Sequence, residues 1–195
     1  MTGCQAKDSA SADPGSSGGP PAAAGTATPG PTGTTGPAPS SSHPVARSVP
    51  VRLRIPAIGV DTAVIPLGLA ADGSVKVPPI AAHSPAGWYD GSPTPGQTGP
   101  SVILGHVTVG QYGDGVFLHL SRLRSGDRIV VGLKDGESAA FAVDRVQTVA
   151  KTQFPTDAVY GNVDHPALRL ITCGGARAEA GGYQDNVVVY ASPAS

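Results

Sequence analysis

Ala167-Leu168-Arg169-Leu170-Ile171-Thr172-Cys173-Gly174-Gly175 is the stretch on which the fold turns. A short apolar run rich in Leu, Ile and Thr, closed by two glycines, has the pattern of a buried strand followed by a turn. Strand alternation would put Arg169, Ile171 and Cys173 on one face of it. Runs of the same kind lie on both sides: Val51–Ile55, Ala63–Leu69, Ser74–Val77, Ser101–Val107, Asp127–Leu133 and Ser138–Lys151 before it, Asn186–Ala191 after it. Gly, Pro and Asp punctuate them. Eight short strands at this spacing predict an all-β barrel or sandwich. Val102-Ile103-Leu104 and Val187-Val188-Val189 are apolar at every position, as expected where both faces of a strand are covered or a small barrel closes.

Lys134-Asp135-Gly136-Glu137 reads as a hairpin turn, Asp-Gly supplying the backbone that such a turn needs. Helical period is brief. It covers Val116–Leu123, where Phe117, Leu120 and Leu123 recur at i, i+3 and i+6, and Pro155–Tyr160.

The front of the chain is different. Among 195 residues, with Gly 27 and Pro 20, no Leu or Ile precedes Leu53 and no aromatic residue precedes Trp88. Such a segment cannot bury enough apolar surface to offset its ordering entropy. Residues 1–48 are therefore expected to form a disordered Pro/Gly/Ser/Thr-rich tether and 49–195 a single compact domain. Thr2-Gly3-Cys4 looks like the end of a bacterial lipobox, which makes Cys4 a lipidation candidate if the natural start lies upstream of Met1. The alternative is a chance cysteine in an unstructured tail. A disulfide from Cys4 to Cys173 would consume a thiol that the chemistry below requires. No run of 18 apolar residues is present, so the sequence contains no spanning helix.

A net charge of -1 gives no basic stripe for nucleic acid and no polybasic patch for a lipid surface. Membrane attachment is expected only through an N-terminal anchor. With one Cys in the domain and no His pair at ligand spacing, no metal or other cofactor is expected. The acidic residues lack an EF-hand pattern.

A lone Cys on a strand is ordinarily a small buried hydrophobe. The glycines after Cys173 favour a different use, because a reactive thiol needs exposure and room for a carbonyl to approach. An ordinary thiol is only a few per cent thiolate at neutral pH, so a nucleophilic one requires an adjacent base. Five histidines are available. His43 lies in the tail and His165 precedes Pro166 in a loop. His119 is out of phase with the Phe117/Leu120/Leu123 stripe, and His83 lies in a Pro-rich loop. His106 ends the run Ser101-Val102-Ile103-Leu104-Gly105-His106, where it is either a satisfied core residue or a base at the mouth of a strand.

Leu170-Ile171-Thr172-Cys173 resembles the active-site signature of the sortases. Gly105-His106, followed by Phe117, Leu120, Leu123 and Gly126-Asp127, is similar to the sortase stretch that begins at the catalytic histidine. The order matches too: His, about 65 residues, Cys, then a last strand. Cys-Gly-Gly with Tyr183, Asp185 and Asn186 before that strand looks like the class F sortases of actinobacteria. The resemblance implies an eight-stranded β-barrel with one or two short helices and with His106 and Cys173 at neighbouring strand ends. It also implies a monomeric extracytoplasmic enzyme held at the outer face of the cell membrane. Its Cys173 would attack the Thr–Gly bond of an LPXTG-type sorting signal on surface proteins, form a thioester and pass the acyl group to a cell-wall peptide amine. His106 would be the proton donor and acceptor.

One feature of the family pattern is missing. Sortases use an Arg early in the last strand for the substrate and oxyanion, and counting back from Ala191 puts Asn186 there. Arg169 is the favoured substitute, with Arg177 in the following loop and the Asn186 amide as others. The missing Arg also motivates the competing reading of a tethered barrel that binds a cell-wall or peptide ligand without catalysis. A hydrolytic cysteine peptidase, with water as acceptor, is a further alternative.

Overall fold

The computed structural model describes residues 47–177 and 182–194. Cys4 and nearly all of the expected tether lie outside the described residues.

Eight strands make one closed barrel: β1 (Pro50–Ile55), β2 (Val60–Leu67), β3 (Ala86–Tyr89), β4 (Gly99–Leu104), β5 (Arg128–Leu133), β6 (Ser138–Ala150), β7 (Pro166–Arg177) and β8 (Tyr183–Pro193). Their order around the barrel is β1-β2-β3-β4-β7-β8-β6-β5, with β5 returning to β1. β2 with β3 and β4 with β7 run parallel, while the other neighbours are antiparallel. One short helix, α1 (Thr156–Tyr160), lies in the connection from β6 to β7.

The fully apolar triplets are explained by cover on both faces. Ile103, Leu168, Leu170, Val187 and Val189 point into the barrel, where they meet Leu53, Phe117, Ile129 and Phe141. Val102, Ile171, Val188 and Tyr190 point outward into a second cluster, closed by Val159 of α1 and by Phe154 and Tyr160. Burying a side chain of this size contributes about 1.5–3 kcal/mol. The two clusters therefore fix which residues of β4 and β7 face out, and the site lies on that outer face.

The strand count is as expected, but one assignment is corrected. Ser74–Val77 makes only an isolated bridge, Leu69 to Val75, and Ala86–Tyr89 supplies the missing strand. Pro78 and Pro79 lack the N–H that a ladder needs, which ends pairing after Val77. β3 is short and contains Gly87, paired with Ile65 and Leu104, where a Cβ would run into Leu67. The helical stretch expected over Val116–Leu123 is only a 3-10 turn at Leu120–Arg122, yet Phe117, Leu120 and Leu123 are all buried as the period implied. The Asp135-Gly136 hairpin joins β5 and β6, with Gly136 at φ 91.

Candidate active site

The register of β4 and β7 directs the chain that carries His106 along the strand that carries Cys173. The parallel ladder pairs Val102 with Arg169 and Leu104 with Ile171. The ladder stops there, and His106 and Cys173 each lie two residues past its last rung. Two bonds extend the pairing past the last rung: Gly105 N–H donates to Ile171 O at 3.1 Å, and the buried Thr172 Oγ1–H donates to Gly105 O at 2.8 Å. Thr172 thus clips the backbone before the histidine to the backbone before the cysteine.

The chain leaving His106 is held just as closely. His106 O accepts from Phe117 N–H at 2.9 Å, and Val107 O accepts from Gly115 N–H at 2.8 Å. A side chain at Gly115 would collide with the His106 backbone, and one at Gly105 with the Phe117 ring. Glycine is needed at both places for close approach. The imidazole Nε2 lies 2.7 Å from Pro78 O, a partner 28 residues earlier in the chain.

Cys173 is a half-buried free thiol. It borders a hollow of ≈ 360 Å³ walled by Val107, Phe117, Leu118, Thr172 and Tyr183. The pairing of β7 with β8 breaks between Gly174 and Arg177, and Gly175 is left-handed at φ 74. A Cβ at Gly175 would meet the Asp185 carboxylate. The paired glycines therefore let β7 bend away directly after the cysteine.

The three candidate oxyanion groups lie at different distances from Cys173. Asn186 is the β8 partner of Cys173 and shares its face. Arg177 donates through Nη2 to Thr108 Oγ1 at 3.2 Å, and its guanidinium lies 5.2 Å from the Tyr183 ring centroid. It ties the outgoing end of β7 to the loop that follows His106. Arg169 lies on the face of Cys173, as alternation predicted, but four residues down the strand, about 13 Å at 3.3 Å per residue. It is 8% exposed, and it donates to Ala158 O at 3.3 Å and to Leu168 O at 3.2 Å. Its guanidinium also stacks over Tyr190 at 4.8 Å. Burial pulls its pKa below the ordinary arginine value, and the nearby Arg145 acts in the same direction. The structure pairs Asn186 with Cys173, sets His106 two residues past the β4–β7 ladder that leads to Cys173, and leaves Arg169 against Ala158 of α1.

Sequence reading missed the groove on this same outer face. A cavity of ≈ 610 Å³ is lined by Leu69, Val75, Tyr89, Val102, Phe154 and Tyr160, among others. Val102 and Leu104 alternate to one side of β4, and His106 follows two residues after the strand ends. Tyr89 and Tyr160 meet edge to face at 6.4 Å, and burial pushes the Tyr160 hydroxyl pKa up. The clue was the aromatic content of 154–160, which had been read only as helical period.

A family profile described as the sortase domain matches residues 53–194. The chain belongs to the sortase family. Members of this family are extracytoplasmic cysteine transpeptidases. Solved sortases share its fold: sortase A from Corynebacterium diphtheriae (20% identity, TM-score 0.57, covering 76% of this chain and 62% of that one), and sortase C-1 from Actinomyces oris (22%, 0.56, 75% and 75%). A Clostridium perfringens sortase D5 transpeptidase is similar at 20% identity and TM-score 0.55, covering 75% of this chain and 79% of that one. This sortase chain thus spans less than two thirds of the diphtheria enzyme. No curated protein matches it. Among the described residues, no helix is long and apolar enough to cross a membrane.

Proposed function

We propose that the protein is a class F-like sortase that cleaves the Thr–Gly bond of an LPXTG-type signal through Cys173 and transfers the acyl group to a cell-wall amine. The observation that supports this is the parallel β4–β7 register, which leads His106 and Cys173 out of neighbouring strands on the sheet that carries the apolar groove at Val102. From Val102 to His106 is four residues, about 13 Å in extended chain. An extended Leu-Pro-x-Thr segment with its Thr carbonyl at the thiol would set its Leu about 10 Å away, within reach of that groove.

In this mechanism the Cys173 thiolate adds to the Thr carbonyl. The tetrahedral adduct collapses with loss of the C–N bond, and protonated His106 gives its proton to the departing Gly amine. An incoming amine then attacks the thioester, loses a proton to His106 and expels the thiolate. Asn186, across from Cys173, is the amide donor to the oxyanion, and Arg177 is the cation nearest the outgoing strand. Arg169 takes no part in the chemistry. Cys4 is the proposed lipid attachment point at the outer membrane face, and surface proteins bearing sorting signals are the proposed donors.

The test is cleavage of an LPXTG-type peptide with and without an added amine. Cys173→Ala and His106→Ala should each abolish cleavage in folded protein, and amine should divert product from acid to amide. Water as the sole acceptor would favour a hydrolytic peptidase. A Cys173 inert to thiol probes, without cleavage, would favour the non-catalytic barrel.

A further inference from the structure

The carbonyl that meets His106 belongs to the connection between β2 and β3. A carbonyl oxygen can only accept, so the nitrogen 2.7 Å from Pro78 O must carry a proton. The neutral imidazole is then the Nε2–H tautomer, and its lone pair lies on Nδ1.

Several features hold that carbonyl in position. Pro78 has a fixed φ and Pro79 confines it to extended backbone, so the segment is stiff at the contact. On one side Lys76 N–H donates to Gly68 O at 3.0 Å. On the other, Ser84 Oγ–H donates to Pro79 O at 2.8 Å, and Ser84 is 4% exposed. The turn that returns Ser84 closes with Ser84 N–H to Ala81 O at 3.2 Å. Within it His83 has φ 54, the one non-glycine residue in the left-handed region among the described residues. That conformation costs about 1–2 kcal/mol, which the two flanking ties must offset.

We propose that the Pro78 carbonyl is the orienting group of the Cys173–His106 pair, a positioning role that a third side chain fills in other nucleophile–base pairs. It rests on the reading of His106 as the acid/base. Nδ1 receives the Cys173 proton, the ring becomes imidazolium, and the Nε2–H contact to Pro78 O becomes charge-assisted and stronger. The Nδ1 proton then passes to the leaving amine. Pro78 O gains and loses no proton in the cycle.

Two measurements test it. Long-range 1H–15N NMR of the neutral protein, with the His106 signals assigned by His106→Ala, should find the proton on Nε2; a proton on Nδ1 would overturn the assignment. Placing lactic acid at position 79 converts the Pro78 amide carbonyl into an ester, a weaker acceptor, and Pro79→Ala is its control. The ester protein should show kcat about ten-fold below Pro79→Ala, a fraction of what general acid–base catalysis supplies, with KM for the peptide unchanged. Equal kcat in the two would refute the role. Full activity in His106→Ala would instead refute the acid/base reading itself, so the two failures are distinguishable.

Discussion

The two ends of the outer face of β7 carry Arg169 and Cys173, residues with the same strand orientation and opposite surroundings. At Arg169 the connection from β6 folds back over the strand: Ala158 O of α1 accepts from the guanidinium, and Tyr190 lies beneath it. At Cys173 no such connection is tied down among the described residues: the β7–β8 register shifts past Gly174, Gly175 is left-handed, and the cysteine borders a hollow. Strand alternation specifies a face but not what covers it. Cover depends on the loop above, and here it turns one polar position into a structural tie and leaves the other open for chemistry.

The sharpest way to break this comparison is to exchange function between the two ends. His106→Ala, which strips the open end of its base, should lower peptide cleavage by at least about 10²-fold, with thermal stability nearly unchanged. Asn186→Ala should follow with roughly a ten- to hundred-fold loss in kcat and little change in KM, measured by steady-state cleavage, if its amide meets the oxyanion. At the covered end, Arg169→Ala should cost about 1–3 kcal/mol in denaturant unfolding, because it leaves Ala158 O without its donor. Arg169→Met should keep kcat within a few-fold. A hundred-fold loss in Arg169→Met without unfolding would return Arg169 to the catalytic set. Smallest of all, His83→Gly should leave stability equal or raised by about 1 kcal/mol, since glycine accepts a positive φ without strain.

Much of this architecture was legible in the residues. The apolar triplets announced strands covered on both faces, and Asp135-Gly136 announced its hairpin. Phe117, Leu120 and Leu123 were rightly picked as buried, although the backbone between them is a 3-10 turn rather than a longer helix. Ser74–Val77 misled because its Val and Lys alternate as a strand would. The Pro78-Pro79 pair that follows is the local sign against a longer strand, but neither pattern nor spacing tells that a four-residue strand with a glycine in it completes the barrel.

At the site, the glycine flanks and the family resemblance single out Cys173 and His106 as candidates. The Thr172 clip and the Pro78 contact could not be read from the sequence. Both use backbone carbonyls, which every residue has, and both join residues far apart in the chain. Arg169 was favoured because alternation gave it the right face. What no local pattern shows is α1, which the connection from β6 to β7 lays against Arg169.

The most direct test of the account is mass spectrometry of the protein incubated with an LPXTG-type peptide and no amine acceptor. A covalent adduct of the Leu-Pro-x-Thr acyl group should appear on the proteolytic fragment that contains Cys173, and disappear on adding an amine. Efficient cleavage of the peptide by Cys173→Ala, or an adduct on any other residue, would contradict it.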